Sequence, residues 1–414
     1  MDDAENEIKK DVKIEDLVAG PTDEISIINL VYSIINHAYE ARASDIHIDP
    51  TGNSVEVRFR IDGVLHKVLS LPKEIQPEVI SRLKILSELR TDEHQTAQDG
   101  RFKFTAKDGE VFDIRISVVP THDSEDAVLR LLFESKEHRY TLETVGLSER
   151  DLKTLKTAIA KPYGMILVTG PTGSGKTTTL YTLLKILNTD EVSIITIEDP
   201  IEYSLPKTIQ IQVNNQTGLT FANGLRSILR QDPNIIMVGE IRDEETAKIA
   251  VNASLTGHLL LSTLHTNDAP TALPRLIDMD VEPFLIVSTV NVVIAQRLVR
   301  RICPYCATTK EYPANAIESL LSSMPISALE GKFTFHVGQG CKTCGGSGYF
   351  GRVSIHEVLD MTDKIREAVI ARRGAQIIKE IAISEGMTTM LQDGLKKVME
   401  GTTTIEEILR VIHE

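Results

Sequence analysis

The chain contains no tryptophan, and aromatic residues make up only 5% of its 414 residues. Proteins that bind single-stranded nucleic acid without sequence preference stack the bases on aromatic side chains, and this composition offers little such surface. Positive charge is also in deficit, because the formal net charge is −14. The composition therefore argues against general binding to nucleic acid or anionic lipid, although a local basic groove is compatible with it.

A long hydrophobic run is missing as well. The most apolar stretch, residues 283–295, has about half of the ~20 residues that a membrane-spanning helix needs, and it contains Ser288, Thr289 and Asn291. It predicts a buried element of a folded domain. The first residues, MDDAENEIKKD, are acidic and polar where a secretory signal has a basic start and an apolar core. We therefore expect no transmembrane segment and a cytoplasmic location.

Cysteine is scarce, and all four cysteines fall in two C-x-x-C pairs, Cys303/Cys306 and Cys341/Cys344. In a reducing compartment such pairs favour metal binding over disulfides. The pairs are farther apart than in the commonest zinc ribbons, but the glycines after the second pair let backbone amides approach the sulfurs. Four thiolates would complete a closed tetrahedral Zn²⁺ site with a structural role. Four unligated cysteines or a redox pair are the weaker alternatives.

Hydrophobic periodicity divides the first part of the chain into a tail and a small domain. Residues 1–22 are charged and end around Gly20-Pro21, so a flexible tail is predicted. Apolar residues then follow helical spacing over residues 25–41. Short alternating runs and glycine-containing turns fill residues 45–133, with one helix at about 77–89. The pattern predicts an α+β, PAS-like domain over residues 23–140.

The rest of the chain predicts an α/β fold. From residue 141 to 300 apolar strands alternate with helices, as in βαβ units. A four-cysteine element is predicted over residues 301–352 and a C-terminal helical region over residues 353–414, whose last helix follows a capping-box spacing at Thr404. The predicted strands of the core are residues 165–169, 193–197, 235–238 and 259–264.

Residues 170–177, GPTGSGKT, match the pattern G-x-x-x-x-G-K-[ST] between an apolar strand and a helical run, the context that a phosphate-binding loop requires. Glycines let successive N–H groups face a phosphate at the positive end of the helix dipole. Lys176 would bridge the β- and γ-phosphates of ATP, and the Thr177 hydroxyl would bind Mg²⁺. A glycine-rich turn without a ligand is the alternative. The candidate nucleotide-binding residues here are Gly170, Pro171, Thr172, Gly173, Ser174, Gly175, Lys176, Thr177 and Thr178.

Hydrolysis also needs an acidic group at a neighbouring strand end, which positions Mg²⁺ and polarises water. Glu198 follows the run SIITI, and Glu240 follows IIMVG, where Gly239 replaces the aspartate that commonly ends this strand. Glu240 is therefore the preferred general base, acting directly or through a water on the metal. A solvated strand end or an ion pair with a neighbour such as Arg242 is the alternative for each carboxylate. His265 ends another apolar strand, where an imidazole could sense the γ-phosphate, although a lone histidine is more often structural.

Several motifs occur in the order found in one family. ASDIHIDP and RFRIDG precede GPTGSGKT, and the motifs ITIEDPIEY, IIMVGEIRD, GHLLLSTLHTN, AQRLVRRICPYC and CKTCGGSGYFGR follow it. Together they resemble the cytoplasmic ATPases that drive type II secretion and type IV pilus assembly, from about residue 23 to 414. The four-cysteine element favours the assembly or export branch over retraction motors.

The resemblance implies a RecA-like core in a hexameric ring that hydrolyses Mg-ATP at the inner membrane, with an inner-membrane platform protein as its partner. It also implies arginines on the phosphate side, which at matching positions are Arg101, Arg115, Arg226 and Arg230. For each arginine a surface ion pair is the alternative. Many members have a further N-terminal domain, whereas this chain begins almost directly at the second, which leaves contacts of that domain in doubt.

Two other functions remain open. A RecA-like nucleic-acid translocase would need basic and aromatic loops, which the composition does not favour. A nucleotide-binding adaptor or chaperone gains some support from the C-x-x-C-x-G-x-G spacing at Cys341, which resembles chaperone zinc repeats but occurs once. Such an adaptor would bind nucleotide without turnover and would not need the acidic strand ends.

Overall fold

The computed structural model describes residues 26–122, 124–132, 141–142, 144–313 and 332–413. The predicted tail, residues 1–22, lies outside the described residues. The chain divides into two compact units, Met1–His138 and Arg139–Glu414.

In its described residues the first unit is an antiparallel sheet of six strands with two helices, in the strand order β3-β2-β1-β6-β5-β4. This agrees with the predicted α+β domain. Its elements are α1 (Ile27–Glu40), β1 (Ala43–Pro50), β2 (Ser54–Ile61), β3 (Val64–Pro72), α2 (Gln76–Leu86), β4 (Gln98–Thr105), β5 (Val111–Pro120) and β6 (Glu125–Leu132).

One face of this sheet forms the core of the first unit, because apolar residues alternate along its strands. Leu30, Ile34 and Ala38 lie on one face of α1 and are buried with the inward-facing Phe59 and Ile114. Burying a large apolar side chain contributes roughly 1.5–3 kcal/mol. α2 ends at Leu86, before the predicted residue 89. The charged residues of the strands lie on the opposite face of the sheet.

The second unit is built on a sheet of seven strands in the order β15-β12-β7-β11-β10-β8-β9. The pairs from β12 to β9 are parallel, and β15 runs antiparallel to β12. The four predicted core strands are present, shifted by at most one residue. The sheet contains β7 (Gly164–Thr169), β8 (Ile194–Glu198), β9 (Ile209–Gln212), β10 (Ile235–Val238), β11 (Leu259–Leu264), β12 (Val290–Ile302) and β15 (Tyr349–Asp360).

Helices cover both faces of this sheet, so its central strands are buried on both sides, as is usual for parallel strands. All residues of β7, β8, β10 and β11 are buried. One face packs α3 and α4, and the other packs α6, α7 and C-terminal helices. The helices up to β12 are α3 (Glu149–Ile159), α4 (Lys176–Leu187), α5 (Phe221–Ile228), α6 (Glu244–Leu255), α7 (Ala269–Asp278) and α8 (Pro283–Thr289).

The C-terminal part returns to the sheet before it becomes helical. Residues 353–360, which the sequence analysis placed in the helical region, belong to β15, and the apolar run 283–295 forms α8 and the first half of β12. None of the helices among the described residues is long and apolar enough to cross a membrane. The remaining elements are β13 (Ala307–Pro313), β14 (Lys332–Gly338), α9 (Asp363–Ile370), α10 (Ala375–Ser384), α11 (Met390–Met399) and α12 (Ile405–His413).

Candidate functional site

Three neighbouring parallel strands end together at one edge of the large sheet. β7 lies beside β11, and β11 lies beside β10. Thr169 and Leu264, the last residues of β7 and β11, are paired, and Val238 at the end of β10 pairs with Ser262. The residues that follow these strands therefore leave the sheet at the same level. This is the edge where ligands bind in open α/β sheets.

The glycine-rich loop, Gly170–Gly175, turns the chain from β7 into α4. Gly173 and Gly175 have φ angles of +78° and +88°, which residues with a Cβ rarely adopt. At Gly170 a Cβ would lie 2.4 Å from the carbonyl oxygen of Gln296. Residues 171–173 and 177 are exposed, while Ser174 is buried. The loop therefore presents its backbone to solvent at the positive end of α4.

Lys176, the first residue of α4, reaches back over the glycine-rich loop. Its Nζ donates to the carbonyl oxygens of Gly170 at 2.8 Å and Pro171 at 3.0 Å. Desolvation lowers the pKa of Lys176, and the Glu240 carboxylate opposes this effect. The ammonium group is thus a partly buried cation solvated by neutral carbonyls, and an anion bound in the loop would stabilise it. Thr178 follows in the same turn, where its carbonyl accepts from the Thr182 hydroxyl at 2.8 Å.

Glu240, two residues after β10, contacts two side chains at this edge. Its carboxylate lies 2.5 Å from Nη2 of Arg242 and 3.0 Å from Nε2 of His265. The Glu240 side chain is only 11% exposed, whereas the side chains of Arg242 and His265 are 64% and 48% exposed. The structure thus brings Glu240 and His265 together, and it also contains the ion pair that was the alternative for Glu240. A carboxylate held at the border of a protein cleft is suited to accept a proton from water.

Glu198, the last residue of β8, is in a different environment. Thr196 donates to its Oε1 at 2.6 Å, Gln210 donates to the same oxygen at 3.1 Å, and the Tyr181 hydroxyl donates to Oε2. Glu198 is 3% exposed and Tyr181 is fully buried. Burial raises the pKa of Tyr181, and the hydrogen bond to Glu198 raises it further. Both oxygens of Glu198 are therefore engaged by neutral donors inside the protein.

Arg226 and Arg230 lie at the end of α5 and bond to their own surroundings. Arg226 donates to Asn223 at 3.2 Å and to Glu245 at 2.5 Å. Arg230 donates to the Arg226 carbonyl at 3.0 Å and to the Ser227 hydroxyl at 3.3 Å. Arg226 is thus in a surface ion pair, as its alternative has it, whereas these partners of Arg230 are neutral oxygens.

Arg101 and Arg115 belong to the polar face of the first unit. They are directly opposite each other on β4 and β5, and Arg130 of β6 is opposite Arg115. Arg101 forms an ion pair with Asp113 at 2.9 Å, and this guanidinium holds the pKa of the Asp113 carboxyl below its usual range. Arg130 is 2.9 Å from Asp45. Three guanidinium groups therefore follow one another across adjacent strands.

The four cysteines converge where β12 ends and β15 begins. Their sulfurs lie within 4.8 Å of one another, with Sγ–Sγ separations of 3.9 Å for Cys303 and Cys341 and 3.7 Å for Cys341 and Cys344. A tetrahedron with Zn–S bonds of about 2.3 Å has edges of about 3.8 Å. The N–H groups of Gly340 and Gly348 donate to the sulfurs of Cys306 and Cys344, each at 3.3 Å. The donor set and spacing fit a structural zinc ion.

Gln296 contacts the glycine-rich loop but was not among the candidates from sequence. It lies in the middle of β12, and its side chain bonds to Ser174 and Thr179. More than a hundred residues separate it from the loop, and a single glutamine within an apolar strand gives no signal for this contact. Only the pairing of β12 with β7 brings them together.

Comparisons with known proteins agree with this architecture. The family model described as "Type II/IV secretion system protein" matches residues 21–410. The type IV pilus assembly ATPase PilB of Myxococcus xanthus is 45% identical over 403 residues, which are 97% of this chain and 70% of that protein. PilB of Thermus thermophilus is 46% identical over 94% of this chain but only 43% of its own length. Type II secretion system protein E of Pseudomonas aeruginosa is 46% identical over 95% of this chain and 76% of its own.

Solved structures show the same fold. The ATPase DotB of Legionella pneumophila superposes with a TM-score of 0.68 at 21% identity, covering 96% of this chain and 98% of the other. The pilus retraction motor PilT with bound ADP superposes with a TM-score of 0.60 at 28% identity, covering 92% and 96%. The predicted fold class and family are therefore confirmed. The chain belongs to the type II/IV secretion system protein family.

Proposed function

We propose that this chain is the Mg-ATP-hydrolysing subunit of a ring motor that serves type IV pilus assembly or type II secretion. The observation that supports this most is the edge where β7, β11 and β10 end. A glycine-rich loop, a lysine held over it and a nearly buried glutamate meet there. These are the parts that phosphoryl transfer to water requires: a cradle for the phosphates, a cation and an acidic group.

The backbone N–H groups of residues 170–177 would hold the phosphates at the N-terminus of α4. Lys176 would exchange its two carbonyl partners for the β- and γ-phosphate oxygens, which restores the solvation that burial removes. Thr177, whose side chain is exposed in the first turn of α4, would hold Mg²⁺, which neutralises charge that develops on the phosphates.

Glu240 is the proposed general base, with His265 and Arg242 holding its two oxygens. Its carboxylate opposes the lowering of the pKa of Lys176, which supports a place beside the bound phosphates. Glu198 is less suited to accept a proton from water, since three donors already occupy its oxygens. In this proposal Glu198 supports the strand end and does not take part in the chemistry.

The arginines would complete the site only in the assembled motor. Arg101 and Arg115 present guanidinium groups on the polar face of the first unit, and Arg226 and Arg230 do so on the second. Arginines that reach the phosphates from a movable domain couple hydrolysis to the position of that domain. The relatives' names, pilus assembly ATPase and secretion system protein, support a role in such a system. A homo-hexamer that acts on an inner-membrane platform protein from the cytoplasmic side is what the motif resemblance implies.

Nucleotide binding and turnover are tested together with one pair of variants. Lys176→Ala should abolish binding of a fluorescent ADP analogue or ATP turnover. Lys185→Ala, on the same helix and close to the Tyr203 ring, should leave both unchanged. Unchanged turnover in Lys176→Ala would refute the cradle. Binding without turnover in the unmodified chain would favour the adaptor function instead.

The ring is tested by steady-state ATP hydrolysis across protein concentration, with light scattering on the same samples. Specific activity should rise as a large oligomer forms, because sites completed by neighbouring arginines need that assembly. Full activity in the monomer would exclude the ring mechanism. Stimulation by DNA would instead support a nucleic-acid translocase.

We further propose that the four cysteines bind zinc and that the metal fixes the element between β12 and β15. Cys341→Ser should lose zinc by elemental analysis, while ADP binding is retained because the glycine-rich loop lies between β7 and α4 and contains none of the cysteines. Lys342→Ala, the exposed neighbour in the same pair, should keep one zinc per chain. Stoichiometric zinc in Cys341→Ser would refute a four-thiolate site.

A further inference from the structure

Gln296 is buried beneath the glycine-rich loop, and its amide bonds both to the loop and to the helix that follows it. Its Nε2 donates to the Ser174 carbonyl oxygen at 2.8 Å, and its Oε1 accepts from the Thr179 hydroxyl at 2.7 Å. Gln296 is 1% exposed, and Ser174 and Thr179 are 3% and 2% exposed. Water therefore does not compete for these hydrogen bonds, and the amide has a fixed place between the loop and the first turn of α4.

The bond to Ser174 fixes the direction of the next backbone N–H. In a planar trans peptide the C=O of one residue and the N–H of the following residue point in opposite directions. Because the Ser174 carbonyl points down to Gln296 in β12, the Gly175 N–H points away from β12. A phosphate bound at the N-terminus of α4 would meet this N–H on the side that faces away from β12.

Two further features keep the Gln296 amide in one orientation. The Ser174 carbonyl can only accept, so it requires the NH₂ end of the amide, and the Thr179 hydroxyl then donates to the amide oxygen. A Cβ on Gly175 would lie 3.2 Å from Nε2 of Gln296, so a side chain there would push the amide away. The left-handed φ of +88° at Gly175 places the peptide for this contact.

We infer that Gln296 is a positioning residue, which aims the Gly175 N–H at the phosphates of the bound nucleotide. This inference rests on the proposed function, since it assumes that the loop binds nucleotide. A hydrogen bond of this kind acts on the ground state and the transition state alike. Its loss should raise KM and leave kcat nearly unchanged.

The first test is Gln296→Met, which keeps an unbranched side chain of similar size and removes both hydrogen bonds. We expect the Kd for a fluorescent ADP analogue and the KM for ATP to rise about tenfold, because a misdirected N–H leaves one phosphate contact unmade. The kcat should change less than threefold, and the zinc content should stay that of the unmodified chain. The melting temperature should fall, because the buried Ser174 carbonyl and Thr179 hydroxyl lose their partner, so Kd and KM are measured well below the unfolding transition. If Gln296 served only to fill space, the Gln296→Met variant would have the same Kd and KM as the unmodified chain, and this result would contradict the positioning role.

A second pair of variants changes Thr179. Each substitution alters the side chain so little that the protein should still fold. Thr179→Val removes the hydroxyl that holds the amide oxygen of Gln296, and Thr179→Ser keeps it. We expect a smaller rise of Kd, about threefold, for the valine variant and none for the serine variant. Gln76→Leu is the matched control, because it removes another buried glutamine amide, 2% exposed and bonded to the Glu125 carbonyl in the first unit. Its ADP Kd should not change.

The outcomes separate the inference from the function it rests on. An unmodified chain that binds no ADP would refute the proposed function. Normal ADP binding by that chain, with an unchanged Kd in Gln296→Met, would overturn the positioning role alone. If Gln296→Met does not fold, equal Kd values for the valine and serine variants at Thr179 would overturn it equally well.

Discussion

The ends of β8 and β10 are alike in sequence and different in the folded protein. Each strand is a short apolar run followed by a glutamate, Glu198 in one case and Glu240 in the other. Glu198 is bound by a tyrosine, a threonine and a glutamine in the interior. Glu240 instead meets an arginine and a histidine at the surface of the cleft. The same residue type is thus a structural acceptor at one strand end and a candidate base at the other.

The difference arises from the neighbouring elements. Tyr181 comes from α4 and Gln210 from β9, and together they surround the end of β8. The end of β10 lies beside β11, and the residue after β11 is His265. A carboxylate with neutral buried donors is held in place with no room for water. A carboxylate with exposed charged partners remains accessible and responds to salt.

The largest expected effect comes from Glu240→Gln. The amide keeps the size of the side chain but cannot accept a proton, so hydrolysis should fall by about 10²–10⁴-fold. The Kd for ADP should stay within about threefold, because the glycine-rich loop is intact. Phosphate release under steady state and titration of a fluorescent ADP analogue measure the two quantities.

The matched control for this variant is Glu244→Gln, four residues further on, where the glutamate is exposed and pairs with Lys248 at 2.6 Å. It should leave hydrolysis unchanged. If Glu240→Gln retains normal hydrolysis, the base is another group, and the contrast between the two strand ends is wrong.

A smaller effect, on stability and not on turnover, is expected from Glu198→Gln and Tyr181→Phe. Each change leaves a buried polar atom without its partner, which costs about 1–3 kcal/mol. Both variants should unfold at lower urea concentration, and hydrolysis well below the transition should change less than tenfold. Tyr163→Phe, at a tyrosine that is 53% exposed, is the control. A folded Glu198→Gln that loses as much activity as Glu240→Gln would make Glu198 part of the chemistry.

The sequence predicts the strand ends because local patterns determine them. The four core strands are continuous apolar runs, and the structure places them within one residue of the prediction. The loop motif and the cysteine pairs are also local, with fixed spacing set by the geometry of the turn or metal site. The sequence prefers Glu240 as the base but does not show how the surroundings of the two glutamates differ, because Tyr181, Gln210 and His265 come from other elements of the chain.

Two other features, the strand character of β15 and the partners of Gln296, cannot be read from the sequence for the same reason. β15 contains the buried polar residues Ser354, His356 and Glu357, so its alternation does not resemble that of a strand. Ser354 donates to the Val145 carbonyl at 2.6 Å, and Glu357 accepts from the Ala269 N–H at 3.1 Å. These distant partners, like those of Gln296, become visible only when the sheet is assembled.

The smallest expected effect is a salt-dependent loss of hydrolysis, which distinguishes the charged partner at the end of β10 from the neutral partners at the end of β8. Arg242→Gln removes the exposed guanidinium beside Glu240, and an exposed ion pair contributes only about 0–1 kcal/mol. Hydrolysis should therefore fall by no more than about fivefold at low ionic strength. The difference from the unmodified chain should shrink towards ~1 M salt, where the Debye length is about 3 Å. Tyr181→Phe removes a neutral buried donor, so its stability loss should not shrink with salt. Arg242→Gln could instead lose the same fraction of its hydrolysis rate at every salt concentration. In that case Arg242 acts through a direct contact with the substrate and not through the charge that it places beside Glu240.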